Sequence, residues 1–327
     1  MYQQIFDIQS ELEFHKIALE VFKHQFENNK VYRSFCDLLY VHPSDVKSIE
    51  QIPFLPIQFF KTHKIISSLD EIQETFTSSG TTGTTGSITS KHFVVDLALY
   101  QKSYQKGFEH FYGNIEEYVV LALLPNYLER KGSSLVYMVE DLIKSSKNAE
   151  SGFYLNNLEE LSTKLKELDT SFQKVLLIGV SFALLDLIEH QQFTLEHTIV
   201  METGGMKGRR KELIRKELHQ YLKNGFGVSV VHSEYGMTEL LSQAYSKGSG
   251  IFKCPPWMKI CARDTEDALT LLPKNETGGV NVIDLANYNS CSFIATQDLG
   301  KVFNDGSFEI LGRFDNSDIR GCNLMLF

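Results

Sequence analysis

Three stretches of this chain hold residues suited to chemistry rather than to packing. The first, Phe76 to Gly86, sets glycines among hydroxyl side chains where a core could use neither. In it, Ser78, Ser79, Gly80, Thr81, Thr82 and Gly83 form a candidate phosphate cradle. Glycine lets backbone N–H groups turn toward an anion, and serine and threonine add neutral donors that can follow a rearranging triphosphate. The same composition also suits a plain flexible loop. The second stretch, Val231 to Glu239, gathers an aromatic ring, a glycine, a hydroxyl and a carboxylate within five residues, Tyr235-Gly236-Met237-Thr238-Glu239. Tyr235 suits stacking on a base, Thr238 donation to a phosphate, and Glu239 the binding of Mg²⁺ directly or through water. The competing reading is a helix N-terminus capped by Ser233 or Thr238. In the third stretch, Asp298 follows a β-like run and Arg313 lies shortly downstream. That pair could hold ribose hydroxyls and a phosphate, or simply form a surface ion pair.

These residues need a frame. Residues 1–40 carry apolar positions such as Ile5, Ile8, Leu12, Ile17 and Phe22 at helical intervals, and the segment Ile52 to Ile57 then holds two prolines, Pro53 and Pro56, that demand an extended connector. From Glu74 the pattern alternates. Strands are expected at 118–124, 174–179, 198–202 and 227–231, with helices at 96–112, 181–190 and 208–223, the last carrying Leu213, Leu218 and Tyr221. Such alternation predicts an α/β sheet covered on both faces, with ligands beyond the strands' carboxyl ends. After Met237 short β runs take over, at 280–285, 292–295 and 307–311, with turns at 275–279 and 304–306. The expected organisation is one catalytic domain over 1–327: a helical lead-in at 1–60, an α/β part with the phosphate loop at 61–240, and a β-rich part at 241–327.

Composition narrows the partners. The 327 residues are 43% apolar and 22% charged, with 41 acidic against 32 basic side chains, so no nucleic-acid footprint is present. The cluster Lys207, Arg209, Arg210, Lys211 reads as the solvated start of a helix. No run of about 18 apolar residues suggests a membrane span, and the N-terminus has no signal-peptide pattern. Five cysteines, Cys36, Cys254, Cys261, Cys291 and Cys322, are odd in number and sparse, which fits a reducing cytoplasm. Ser133 and Ser134 read as a helix start, and His232 as a pocket or core histidine.

Taken together and in this order, the three stretches resemble the adenylate-forming superfamily of acyl-CoA synthetases, peptide-synthetase adenylation domains and luciferases. Ser78 to Gly83 resembles its phosphate loop, Tyr235 to Glu239 its aromatic-Gly-x-Thr-Glu motif, Asp298 its ribose-binding aspartate, and Gly312-Arg313 its hinge signature. The resemblance implies an α/β fold like that superfamily's large N-terminal domain, and it places Thr203, Gly204 and Gly205 beside adenine. It implies ATP and Mg²⁺ as cofactors. Ser78 to Gly83 would grip the β- and γ-phosphates, Thr238 and Glu239 the α-phosphate and the metal, Tyr235 the adenine, and Asp298 and Arg313 the ribose. Two details depart from the pattern: no Pro-Lys pair follows the loop, and Gln297 stands where a glycine is usual. The mobile C-terminal lid domain with its catalytic lysine is expected to be absent, because the sequence stops soon after Arg313.

One branch, the acyl-protein synthetases of the bacterial bioluminescence fatty-acid reductase system, is similar in length and in the segment Ile52 to Lys61, and likewise has a cysteine near its end, here Cys322. Members of that branch adenylate a fatty acid, move the acyl group to that cysteine and pass it to an acyl reductase. Other outcomes stay open from sequence: transfer to coenzyme A or a carrier protein in trans, a nucleotide-binding scaffold without turnover, and oligomerisation.

Overall fold

The computed structural model describes residues 2–78, 89–124, 132–204, 210 and 213–313. After a 3₁₀ turn at Tyr2–Asp7, helix α1 (Glu11–Asn28) starts where Ser10 Oγ accepts from Glu13 N and the Glu13 carboxylate accepts from Gln9 N, a reciprocal cap. Its buried residues, Phe14, Ala18, Val21, Phe22 and Gln25, recur every three or four positions and face the body of the protein. Helix α2 (Lys30–Leu38) follows at once, capped by Asn29. The proline-bearing connector is extended as expected, and it also pairs: β1 (Leu55–Pro56) lies parallel to β13 (Phe293–Val302). A short α3 (Phe59–Thr62) and the antiparallel pair β2 (Glu74–Thr77) and β3 (Lys91–Val94) come next, on either side of the Ser/Thr/Gly-rich segment in sequence.

The large sheet has two halves. One is parallel, in the order β5 (Gly152–Tyr154), β4 (Val119–Leu123), β6 (Val175–Val180), β7 (Thr198–Thr203) and β8 (His232–Tyr235). Its crossovers are helices α5 (Ser134–Ser145), α6 (Leu158–Thr170), α7 (Ser181–His190) and α8 (Arg215–Phe226), while α4 (Leu97–Tyr112) precedes β4. β4 and β6 are buried along their whole length, which is why Val-Val-Leu-Ala-Leu and Val-Leu-Leu-Ile-Gly-Val read as unbroken apolar runs. The other half is antiparallel and continues from β8 through β9 (Ala244–Ser246), β10 (Ile251–Lys253), β14 (Phe308–Arg313), β13, β12 (Thr277–Asp284) and β11 (Met258–Arg263). The change of texture expected after Met237 is this switch from parallel to antiparallel pairing, made by the connection between β8 and β9.

Several expected boundaries move. Helix α8 begins at Arg215, later than 208, with Leu213 and Ile214 ahead of it; Tyr221 points out at 58% exposure while Leu218 is buried. Arg210, from the basic cluster, pairs with Glu189 at 2.6 Å and with Asp186. The strand expected at 227–231 lies instead at 232–235. Gly227 ends α8 at φ 68°, and a Cβ there would meet Phe193 O at 2.6 Å, so the chain must turn before it can extend. No helix follows β8, so neither Ser233 nor Thr238 caps one. Ser133 does cap α5, accepting from Val136 N.

Candidate functional site

Because β8 is a strand, its side chains alternate between two environments. His232 and Glu234 point toward α4: Tyr112 Oη lies 3.1 Å from His232 Nδ1, and Glu234 sits opposite Tyr245 of β9. Ser233 and Tyr235 point the other way. The Tyr235 ring packs against Phe252 and Phe308, and its hydroxyl donates to Asp298 Oδ2 at 2.8 Å. Asp298 lies inside β13 rather than after a β run, directly across the ladder from Arg313, whose Nε is 3.5 Å from Asp298 Oδ1. Three residues separated by up to 78 positions thereby meet at the end of the parallel half. Burial pushes the Asp298 carboxyl up, and the Tyr235 hydroxyl with Arg313, Arg215 and Arg263 pulls it back. Asp298 is only 5% exposed, whereas the Arg313 side chain is 59% exposed, so the pair joins a buried carboxylate to a solvent-facing guanidinium.

The Thr238–Glu239 turn is pinned by residues that the sequence did not single out. Thr238 O lies 2.9 Å from Nδ1 of the buried His92, whose Nε2 is 2.8 Å from Ser290 Oγ. A carbonyl can only accept, so Nδ1 carries the proton and Nε2 accepts from the serine. Glu239 O accepts from Asn287 Nδ2 at 2.8 Å, and Leu241 N donates both to Asn287 Oδ1 and to Asp284 Oδ2. Ser242 adds two more bonds to Asp284, from its N–H and its hydroxyl. Burial outweighs these donors and Ala286 N, which pull the other way, and leaves Asp284 raised to about 6. Behind this network stands α1, whose Gln25 donates to the Asn287 and Tyr288 carbonyls and accepts from Ser292 N. Asn29 donates to Ser290 O in the same way. The helical lead-in is thus a brace for the turn.

Glu239 is 6% exposed; burial raises its pKa, while the Ser90 hydroxyl and the charges of Arg313 and Lys61 lower it. Ser90 also pairs with Ser78, since Ser78 N donates to Ser90 O and Ser90 N to Ser78 Oγ. Ser78, Ser90, Glu239, Lys61 and Arg313 therefore share one neighbourhood. At the end of β7, Gly204 has φ 64° and accepts from Ser181 Oγ, while Glu202 is flanked by Arg215 and His219 at 3.3 and 3.4 Å. Ser79, Gly80, Thr81, Thr82, Gly83, Gly205 and Cys322 lie outside the described residues. A surface hollow of about 530 Å³, lined by Gly152, Tyr154, Asn157 and Lys164 among others, lies at the edge strand β5 and shares no residue with this site.

The family model for "Acyl-protein synthetase, LuxE" matches residues 4–327. The chain belongs to the acyl-protein synthetase family. Among proteins similar to it are the long-chain-fatty-acid–luciferin-component ligases of Vibrio harveyi and Aliivibrio fischeri, each 23% identical over 95% of this chain and over 86% and 87% of their own lengths. Solved structures share the fold. An open conformation of 2-hydroxyisobutyryl-CoA ligase in complex with 2-HIB-AMP and CoA has a TM-score of 0.67 at 13% identity, covering 94% of this chain and 70% of that one. ATP-bound MatB from Rhodopseudomonas palustris has a TM-score of 0.56 at 17% identity over 75% of this chain, which spans about half (49%) of MatB. The fold is thus that of adenylate-forming ligases, as the family's motifs imply. No described helix is long and apolar enough to cross a membrane.

Proposed function

We propose that this acyl-protein synthetase activates a fatty or related carboxylic acid with ATP and then moves the acyl group to a thiol, its own Cys322, for delivery to a partner such as an acyl reductase in the cytoplasm. In the first step a carboxylate oxygen bonds to the α-phosphorus as the bond to pyrophosphate breaks, giving an acyl-adenylate. In the second the Cys322 thiolate bonds to the acyl carbon, the bond to AMP breaks, and the thiol proton goes to solvent. The observation that carries the reading is the convergence of Tyr235, Asp298 and Arg313 beside the braced Thr238–Glu239 turn, at the carboxyl ends of the parallel strands.

In this reading Asp298 and Arg313 hold the ribose, Tyr235 stacks on adenine and Gly204 and Gly205 lie along it. Ser78 to Gly83 grip the outer phosphates, and Thr238 donates to the α-phosphate. Among the described residues no group of three His, Cys, Asp or Glu forms a metal cage. A single buried carboxylate, Glu239, beside bound phosphates still fits Mg²⁺, which takes most of its ligands from substrate and water. The ion would offset phosphate charge. Lys61, whose charge already acts on Glu239, supplies a cation for the phosphate charge that develops in the reaction. The test is ATP–pyrophosphate exchange driven by a panel of fatty acids. Wild type should exchange, and Glu239→Gln and Asp298→Asn should lose at least about 100-fold in kcat/KM, the Asp298 change mainly through KM for ATP. Exchange untouched by both changes would refute the site.

A further inference from the structure

The end of β7 is tied to the hinge strand β14 by a cluster of side chains to which the adenylation reading gives no task. Glu202, 3% exposed, precedes Thr203, the last residue of β7, and the left-handed Gly204. Its Oε1 faces Arg215 Nε at 3.3 Å and His219 Nε2 at 3.4 Å, two residues one turn apart on α8. Its Oε2 faces Ser181 Oγ at 3.3 Å, and the same hydroxyl reaches Gly204 O at 3.1 Å. His219 Nε2 also lies 3.2 Å from Ser233 Oγ. Both His219 contacts run through Nε2, so serine, histidine and carboxylate do not make a nucleophile relay, which needs one partner on each ring nitrogen. The group therefore acts as a tether rather than as a nucleophile.

Arg215 carries the tether across to β14. Its Nη1 donates to Ile310 O at 3.0 Å, and its guanidinium lies 4.9 Å over the Phe252 ring, which packs in turn against Tyr235 and Phe308. Gly250 leaves it room, since a Cβ there would come within 3.1 Å of Arg215 Cδ. Burial pushes Glu202 up, but His219, Arg215 and Ser233 outweigh it and hold the carboxyl below its usual range, so Arg215 faces a full negative charge. Ile310 is the last residue of β14 before an irregularity: Gly300 pairs with Ile310 while Leu299 pairs with Gly312, which makes Leu311 the extra residue of a bulge. Gly312 and Arg313 lie beyond it, with Arg313 across from Asp298. A bulge bends its strand and interrupts the ladder, so the direction in which Arg313 leaves β14 depends on what fixes Ile310.

We propose that Arg215 is a positioning residue for the nucleotide: one guanidinium, spanning Glu202 of β7 and Ile310 of β14, sets Arg313 in register with the Thr203–Gly204 end of β7. This rests on the adenylation reading above, in which Gly204 lies along adenine and Arg313 holds the ribose. Those two contacts come from different strands, so they grip one nucleotide only when the strands are held at a fixed offset. Arginine suits the task because its planar fork bonds two acceptors at once, whereas a lysine in its place carries the charge as a single point and cannot span both. Loss of the span weakens the hold on ATP and leaves the acid alone.

The experiment measures ATP–pyrophosphate exchange with the fatty acid, from octanoate to hexadecanoate, that wild type exchanges best. Arg215→Gln and the milder Arg215→Lys should both raise KM for ATP by about ten-fold while KM for the acid changes by less than about two-fold. In an Arg313→Gln background, where the hinge contact is already gone, either change should add about two-fold or less, because residues that act through one another are not additive. Arg215→Lys, which keeps the aliphatic stem and the charge, carries the test should Arg215→Gln fold poorly. Equal effects of Arg215→Lys in the two backgrounds, an ATP KM that lysine restores to the wild-type value, or an acid KM raised as much as that for ATP would each overturn the proposal. Wild type that exchanges no pyrophosphate with any of these acids would remove the adenylation reading itself, an outcome distinct from any change in the ATP KM of the variants.

Discussion

At the residue scale, the side chains with obvious chemistry were readable and those that hold them were not. Tyr235, Asp298 and Arg313 stand out by type and order, and the structure brings them together. His92, Asp284 and Asn287 carry no motif, because a buried polar side chain is recognisable only through partners that are remote in sequence. His92 supports a pH prediction. Burial pushes it down to about 4 from 6.5, so between these values the unfolded chain takes up a proton that the folded protein refuses. The stability it contributes is complete above about pH 6.5 and is lost as pH falls toward 4. By this linkage unfolding in denaturant should show about 2 kcal/mol less stability at pH 5 than at pH 7.5 from this group alone. His92→Gln, which can still donate to Thr238 O, should show a correspondingly smaller drop, and an equal drop in both proteins would remove the assignment. Lys61 gives a second prediction. Lys61→Met should reduce kcat for pyrophosphate release by about 10- to 100-fold with little change in stability, as expected for an exposed cation that acts on developing phosphate charge; an unchanged kcat would return that role to Mg²⁺ or a partner.

At the element scale, strongly periodic segments were placed well and short strands poorly. Ser181–His190 is a helix at the positions its apolar pattern predicts, and β4 and β6 follow from their apolar runs. The strand lies at 232–235 rather than at the expected 227–231 because Gly227 is the left-handed end of α8 and not a strand start. β3, β5, β9 and β10 were not foreseen, since strands of three or four residues carry too little alternation to stand out, and the six-residue β11 was not foreseen either. The helical lead-in was readable as helix but not as a brace for the Thr238–Glu239 turn. Asn287→Leu would abolish three side-chain hydrogen bonds, to Glu239 O, Cys291 O and Leu241 N. The expected cost is about 2–4 kcal/mol in denaturant unfolding. Adenylation should fall at least about ten-fold in kcat even at temperatures where the variant stays folded, and full activity in a destabilised variant would show that the brace does not position the turn.

At the scale of the whole molecule, the fold class followed from alternating helices and strands and then a run of strands, but the junction did not. That β8 pairs in parallel with β7 and antiparallel with β9 is set by strand order, which local patterns do not encode. This junction is what lets one connection, Gly236 to Gln243, face both Asp298 with Arg313 and the tyrosine-lined side of α4. In the proposed reaction this chain activates the acid and then carries the acyl group on Cys322. Intact-protein mass after incubation with ATP, Mg²⁺ and a panel of fatty acids tests this most directly, comparing wild type with Cys322→Ser. The account predicts pyrophosphate release by both proteins and a hydroxylamine-labile acyl adduct on wild type alone. No pyrophosphate from either protein with any acid, or an adduct that persists on Cys322→Ser, would contradict it.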